Sequence, residues 1–428
     1  MSGRFFTKKN LILIAVFAAI ICIRFYFLSA AIRADNFNQN VMLGGGDAAD
    51  YLRIGRNIAN FQVYGDQNAN YPTENATWRT PVWPFVLSLV FLFSDNLILL
   101  IAAKCLFESL LILLILYFFK KRSEFGPIQL LPFSLLFLEP QYIKYSVTFL
   151  SESLTAILIL LLVLMVVFYK KSQQYKIAIP IVAALIILCH PVASFFVIVL
   201  FGLYILYNLK FGFKFPIVHG LLFSLIVIAW PCRNYLTFDK GFFMTASQGT
   251  TFSKGWNDKV ATDFTNVDGD MSDENMNLKY IGMQTLSGKD SDILNGSKLY
   301  SKATWKFLET IPLSEKIKIA LIKIKSNFYP FPEKTKAGYL ENLGTLFRIF
   351  YAVAFVALIV RIFRRKFNFE KPTDRIYMVI LAIATGQIFM SVYIYTGLRF
   401  NSIYGLAMLF CVLYLCQDFF GRKLKVRN

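Results

Sequence analysis

Residues 97–119 read LILLIAAKCLFESLLILLILYFF and run straight into Lys120-Lys121-Arg122. A helix needs about 20 predominantly apolar residues to cross a hydrocarbon core, and this run supplies them. Its basic end sets a direction, because Lys and Arg collect on the cytoplasmic side of a membrane. Inside the run stand only two charges, Lys104 and Glu108, four residues apart and so on one helix face. On this reading the chain is an all-α polytopic membrane protein, and every other apolar run is placed relative to residues 97–119.

Composition agrees. The chain is 56% hydrophobic and 17% charged, with mean hydropathy +0.53, more apolar than a soluble domain. Backbone groups in lipid must be satisfied within the segment, so helices are expected; the alternation of a membrane barrel is absent. Working back from Leu97, residues 81–93 are apolar but short, with Pro81 and Pro84 at their start. If they crossed as well, the cluster at 120–122 would lie outside. They are therefore read as an interfacial or re-entrant helix. The first apolar run, Leu11 to Ile32, is too long for a signal-peptide core and is read as a retained span behind Arg4, Lys8 and Lys9. Residues 33–80 then form an outer segment, with a short amphipathic helix through Tyr51, Ile54 and Ile58.

Working forward, runs 125–138, 152–169, 177–189, 193–209 and 215–231 alternate in direction. Lys170, Lys171 and Lys176, then Lys210 and Lys214, mark the inner side. Residues 232–343 hold no spanning run and are read as a mixed extracytoplasmic domain. Runs 345–360, 376–395 and 401–417 complete about ten spans with both ends inside. The organisation is thus 1–231, 232–343 and 344–428. The net charge of +19 sits in short clusters between spans, so it reports topology and not nucleic-acid binding. Most of the six cysteines lie in apolar spans without metal-ligand spacing. Lys- and Phe-rich, Cys-poor usage fits a bacterial inner membrane.

Charged residues at the outer ends of the spans are the informative ones. Asp47, Asp50 and Tyr51 follow Gly44-Gly45-Gly46 in the first outer segment. Arg79 precedes the interfacial run, Glu152 opens one span, Arg233-Asn234 follow another, and Arg399 precedes the last. A carboxylate at the mouth of a span is costly unless it faces protein or water, which makes it a functional candidate. One carboxylate beside two or three arginines suits sugar transfer from a lipid phosphate. The base takes the acceptor proton, the cations hold the departing phosphate, and no opposed acid pair is needed. Each residue also has a plainer reading: turn acid for Asp47, helix cap for Asp50 and Glu152, lipid anchor for the arginines, helix end for His190. Trp256 and Asn257 are either substrate contacts or domain core. A divalent ion on Asp47 and Glu152 is supported by no ligand spacing, so no cofactor is expected.

Gly46-Asp47-Ala48-Ala49-Asp50-Tyr51, Arg79-Thr80-Pro81-Val82-Trp83-Pro84, Ser151-Glu152-Ser153-Leu154, Trp230-Pro231-Cys232-Arg233-Asn234-Tyr235 and Leu398-Arg399-Phe400 occur in one order. In that order the chain resembles the bacterial relatives of the dolichyl-phosphate-mannose protein mannosyltransferases, which include the lipid A aminoarabinose transferases. The resemblance implies the GT-C fold and an inverting glycosyltransferase. It implies a polyprenyl-phosphate sugar as donor and a lipid, glycan or protein hydroxyl as acceptor, met at the periplasmic face. Asp47 is implied as the base and Glu152 as the second acid. Arg79, Arg233 and Arg399 are implied as phosphate ligands, with Asp50, Tyr51 and Asn234 beside the substrate. The chain departs from the family in Ala48 after Asp47, in Thr80 before Pro81, and in His190 where relatives carry arginine. Two other readings stay open: a secondary transporter, to which Lys104 and Glu108 would matter, and an outer-face polymerase or ligase using diphosphate-linked saccharides.

Overall fold

The computed structural model describes residues 8–34, 46–66, 69–122, 133, 135–168, 173–210, 216–241, 244–262, 274–328, 349, 352–360, 371–394 and 398–426. Among them the regular elements are helical, with no strand. Helix α1 is Lys8–Ala34, α2 Gly46–Phe61, α3 Val82–Phe91, α4 Leu97–Arg122, α5 Pro140–Ser146 and α6 Glu152–Val167. There follow α7 (Gln173–Cys189), α8 (Ser194–Lys210), α9 (Pro216–Phe238), α10 (Gln248–Gly255) and α11 (Asp258–Thr262). The chain continues with α12 (Ile293–Thr310), α13 (Leu313–Phe328), α14 (Pro372–Tyr393), α15 (Leu398–Ser402) and α16 (Gly405–Val426). Three of the described helices are long and apolar enough to cross a membrane: Leu97–Lys121, Ile217–Phe238 and Pro372–Tyr393.

Local chemistry explains the boundaries. Asn96 caps α4 by accepting from the backbone N–H groups of Ile98 and Leu99. Glu139 caps α5 by accepting from Tyr142 N. Helix α2 stops at Phe61 because Gln62 turns left-handed, with φ of 56°. Helix α6 is apolar nearly all round and buried nearly all round. Such a helix belongs at the centre, and α6 packs against α4, α5, α7, α14 and α16. Helices α2 and α3 pack on each other at one end of this bundle, where Gly55 brings α2 within 3.2 Å of the Pro84 carbonyl for an added Cβ.

The structure corrects the sequence reading in places. The run 215–231 was expected to end at Pro231, yet α9 carries on through it to Phe238. One lost backbone bond at a proline is tolerated in a long membrane-type helix. Residues 232–343 were expected to be mixed, but their described elements are all helical. Most of the expected span 125–138 lies outside the described residues; its described end, Leu135–Leu138, is a 3₁₀ turn. Residues 352–360 of the run 345–360 are helical. Gly44 and Gly45 also lie outside the described residues, and α2 starts at Gly46, so Asp47 and Asp50 stand on a helix and not in a loop.

A buried polar cluster ties α1 to α4 and α6. Arg24 of α1 pairs with Glu108 and donates to Ser109 Oγ and Cys105 O, both at 3.1 Å. Lys104 lies 3.0 Å from Glu108 and donates to Tyr145 O, Ser146 O and Ser153 Oγ. The charges inside residues 97–119 therefore have partners supplied by other helices.

Candidate active site

Asp47 and Asp50 sit three residues apart in the first turns of α2, so their carboxylates share a face. One guanidinium reaches both: Arg79 bonds Asp47 Oδ1 and, at 2.7 Å, Asp50 Oδ2. The Arg79 backbone is held from behind by Tyr64, whose hydroxyl donates to its carbonyl at 3.0 Å. From the far end of the chain comes Arg399, on the short helix α15. Its Nη1 lies 2.5 Å from Asp47 Oδ2, and its Nε donates to Glu152 Oε1. Glu152, fully buried at the start of α6, has His190 Nε2 at 3.6 Å. Tyr51 closes the ring: its hydroxyl meets Ser151 Oγ at 3.2 Å, and Arg79 stacks over its face.

Five segments separated by up to hundreds of residues thus form one charged network. Burial pushes the Asp47 carboxyl up, but the adjacent charges of Arg79 and Arg399 outweigh it and hold the group below its ordinary value. Asp47 rests as a carboxylate bridging two arginines. Burial raises the Tyr51 phenol, which stays protonated.

The network forms part of the wall of a cavity of about 470 Å³. Asp47, Tyr51, Arg79, His190 and Arg399 line one side. Ser247, Gln248, Thr250, Thr251 and Lys254, from α10 and the turn before it, line the cavity as well. Phe195 and Ile198 of α8 with Met390 and Tyr393 of α14 make an apolar flank. Trp78 Nε1, Arg79 Nε and His190 Nδ1 in this wall, and Glu152 Oε2 behind it, are buried without a hydrogen-bond partner. A buried polar group left unpaired costs about 1–3 kcal/mol, so this wall carries a polar cost that the packing of the site does not offset. The arrangement can hold an anion against two guanidinium groups and take up a proton at a carboxylate. Among the described residues, no group of three His, Cys, Asp or Glu is placed to hold a metal.

The expected residues divide. Asp47, Asp50, Tyr51, Arg79, Glu152 and Arg399 meet. Arg233 and Asn234 do not reach the cavity. Arg233 donates to Asn234 Oδ1 and Tyr64 O and stacks on Tyr64, Trp230 and Phe238. It braces Tyr64, which in turn holds Arg79. Trp256 and Asn257 are domain core: Trp256 Nε1 donates to Val392 O at 2.7 Å, and Asn257 Oδ1 accepts from Val260 N. Sequence reasoning missed Lys254 and the hydroxyl-rich stretch 245–251, which carry no motif. His190, read as a helix end, does end α7, but it also joins Glu152 in the network. No protein-family model, curated protein or solved structure matches this chain.

Proposed function

We propose that the chain is a multi-pass membrane glycosyltransferase of GT-C type, with its site at the extracytoplasmic face of a bacterial inner membrane. The donor is a polyprenyl-phosphate sugar and the acceptor a hydroxyl of a lipid, glycan or protein. The observation that carries this reading is the meeting of Asp47 with Arg79 and Arg399 in one cavity that has an apolar flank. A lipid-linked phosphate needs that combination: cations for its oxygens, a base for the acceptor and an apolar wall for its chain.

In the resting site Asp47, Asp50 and Glu152 occupy both arginines, and the third carboxylate charge is balanced by Arg53, which pairs with Asp50. A donor phosphate competes for those guanidinium groups and loosens their hold on Asp47, so the carboxyl becomes more basic when the donor is bound. Asp47 takes the acceptor proton as the acceptor oxygen attacks the anomeric carbon. The bond from that carbon to the phosphate oxygen breaks on the opposite face, with inversion. The phosphate leaves with the electron pair and gains a charge, which Arg79 and Arg399 stabilise in bidentate fashion. Glu152 keeps Arg399 oriented.

The test is transfer from a panel of radiolabelled polyprenyl-phosphate sugars by the purified full chain, beside Asp47→Asn. Release of label by wild type alone is expected. Turnover retained in the variant would remove Asp47 as base. Failure of wild type to release label from any donor, with a crude acceptor extract present, would overturn the donor class and favour diphosphate-linked saccharides.

A further inference from the structure

Helix α13 (Leu313–Phe328) turns large aliphatic side chains outward between its exposed lysines, and buries one lysine. Leu313, Ile317 and Leu321, spaced four residues apart, point outward with 69%, 51% and 58% of their surface exposed. On the opposite side Ile319 and Lys323 are completely buried, Lys323 with its ammonium 4.3 Å from the centre of the Trp256 ring. A solvated helix would place its lysines outward and its large aliphatic side chains inward. Here the outward aliphatic stripe is bordered by Lys318 and Lys325 on one side and Lys316 on the other; Lys318 also lies 3.5 Å from Glu315, an exposed pair that a stronger anion displaces at little cost.

The position of α13 says what covers the stripe. The helix packs on α14, and Lys323 Nζ donates to Val392 O at 3.2 Å, one residue before the end of that apolar helix. Pro372–Tyr393 is long and apolar enough to cross a membrane, so its end marks where hydrocarbon gives way to headgroups. The stripe thus continues an apolar surface at the level where a bilayer stops. The open surface between the side chains of Ser314, Ile317, Lys318, Leu321, Ile322 and Lys325 adjoins it, all on α13 itself. Aliphatic floor and lysine rim match a phospholipid acyl chain and an anionic headgroup.

We propose that α13 is an interfacial helix that lies in the bilayer surface, with Leu313, Ile317 and Leu321 among the acyl chains and Lys318 and Lys325 at the headgroups of anionic lipids. This seats the 232–343 segment on the membrane, and through Trp256 and Val392 it fixes the level of α10 and Tyr393 at the cavity wall. The inference rests on the membrane reading and is independent of the reaction.

The experiment reconstitutes the full-length wild-type chain in nanodiscs of phosphatidylcholine and phosphatidylglycerol. Each lipid in turn carries a photoreactive diazirine on its acyl chain, and adducts are mapped by mass spectrometry. Leu221 and Leu225, outward on the apolar helix α9, serve as the internal standard for lipid contact. Adducts on residues 313–325 are expected beside those on α9, with phosphatidylglycerol favoured. Lys318→Ala should lower that preference roughly fivefold, the factor one basic side chain contributes at an anionic surface. Adducts on α9 but none on 313–325 would overturn the proposal. Adducts on neither helix would overturn it together with the membrane reading. Equal labelling by both lipids, unchanged in Lys318→Ala, would overturn the anionic-lipid part.

Discussion

Asp47 is the residue on which the site turns, and its environment makes a sign-definite prediction. The two arginines hold its carboxyl below the ordinary 3.8, against the upward push of burial. A group depressed in the folded state contributes stability above its unfolded pKa, and that contribution is lost as pH falls through the folded value. Wild type should therefore lose thermal stability below pH about 4 more steeply than Asp47→Asn, whose amide does not titrate. Parallel melting curves across pH 3–6 would remove the ion pairs from this account. The arginines are predicted to differ among themselves. Arg399→Lys keeps a charge but cannot span Asp47 and Glu152 with a planar fork, so transfer should fall by about 10²-fold. Arg233→Gln should cost stability of about 1 kcal/mol through its lost ring stacking and should lower turnover far less than Arg399→Lys, because Arg233 reaches the site only through Tyr64. A steady-state comparison of the two variants, scaled to folded protein, checks both. The acids and arginines that meet were legible as charges at the ends of apolar runs. Which arginine faces the cavity was not, because Arg233 and Arg399 occupy similar sequence contexts and differ only in what packs beside them.

Helices were legible where length alone decides, as in residues 97–119, and less so where packing overrides a local signal. Pro231 reads as a stop, but α9 passes through it to Phe238, with Trp230 Nε1 donating to Met244 O and Arg233 donating to Tyr64 O on either side of the proline. Burial all round α6 was not legible either, since a run apolar on every face is the same string whether lipid or protein covers it. Glycines show where helices truly touch. A Cβ on Gly386 of α14 would sit 2.7 Å from the backbone nitrogen of Phe196 on α8, whereas one on Gly202 of α8 would meet nothing within 4 Å. Gly386→Ala must push two packed backbones apart and should cost about 1–3 kcal/mol. Gly202→Ala should be neutral or stabilising by about 0.5–1 kcal/mol, as for alanine in any helix interior. Denaturation midpoints of the two variants in one detergent test the pair, and equal midpoints would contradict the α8–α14 approach.

Among the described residues, the Arg24–Glu108–Lys104 cluster is the clearest case of charge locked within the apolar bundle. Lys104 and Glu108 were legible as neighbours on one helix face; Arg24 was not, because its partnership depends on α1 packing against α4. With both basic groups and the acid charged the cluster carries one net positive charge. Glu108→Gln leaves two buried cations facing an amide, and losing one partner of a buried pair costs about 3–5 kcal/mol. Replacing Arg24 and Glu108 together by methionine leaves the same single positive charge, on Lys104, which keeps Tyr145 O, Ser146 O and Ser153 Oγ as acceptors. The double variant should therefore outlast the single one, although it removes more polar contacts. Half-lives of inactivation at fixed temperature rank wild type, the double variant and Glu108→Gln in that order if the cluster is a structural lock. The catalytic rate per folded molecule should be unchanged in the double variant. If that variant folds but loses all function, the charges inside the bundle take part in moving an ion or solute, and the transporter reading replaces the lock.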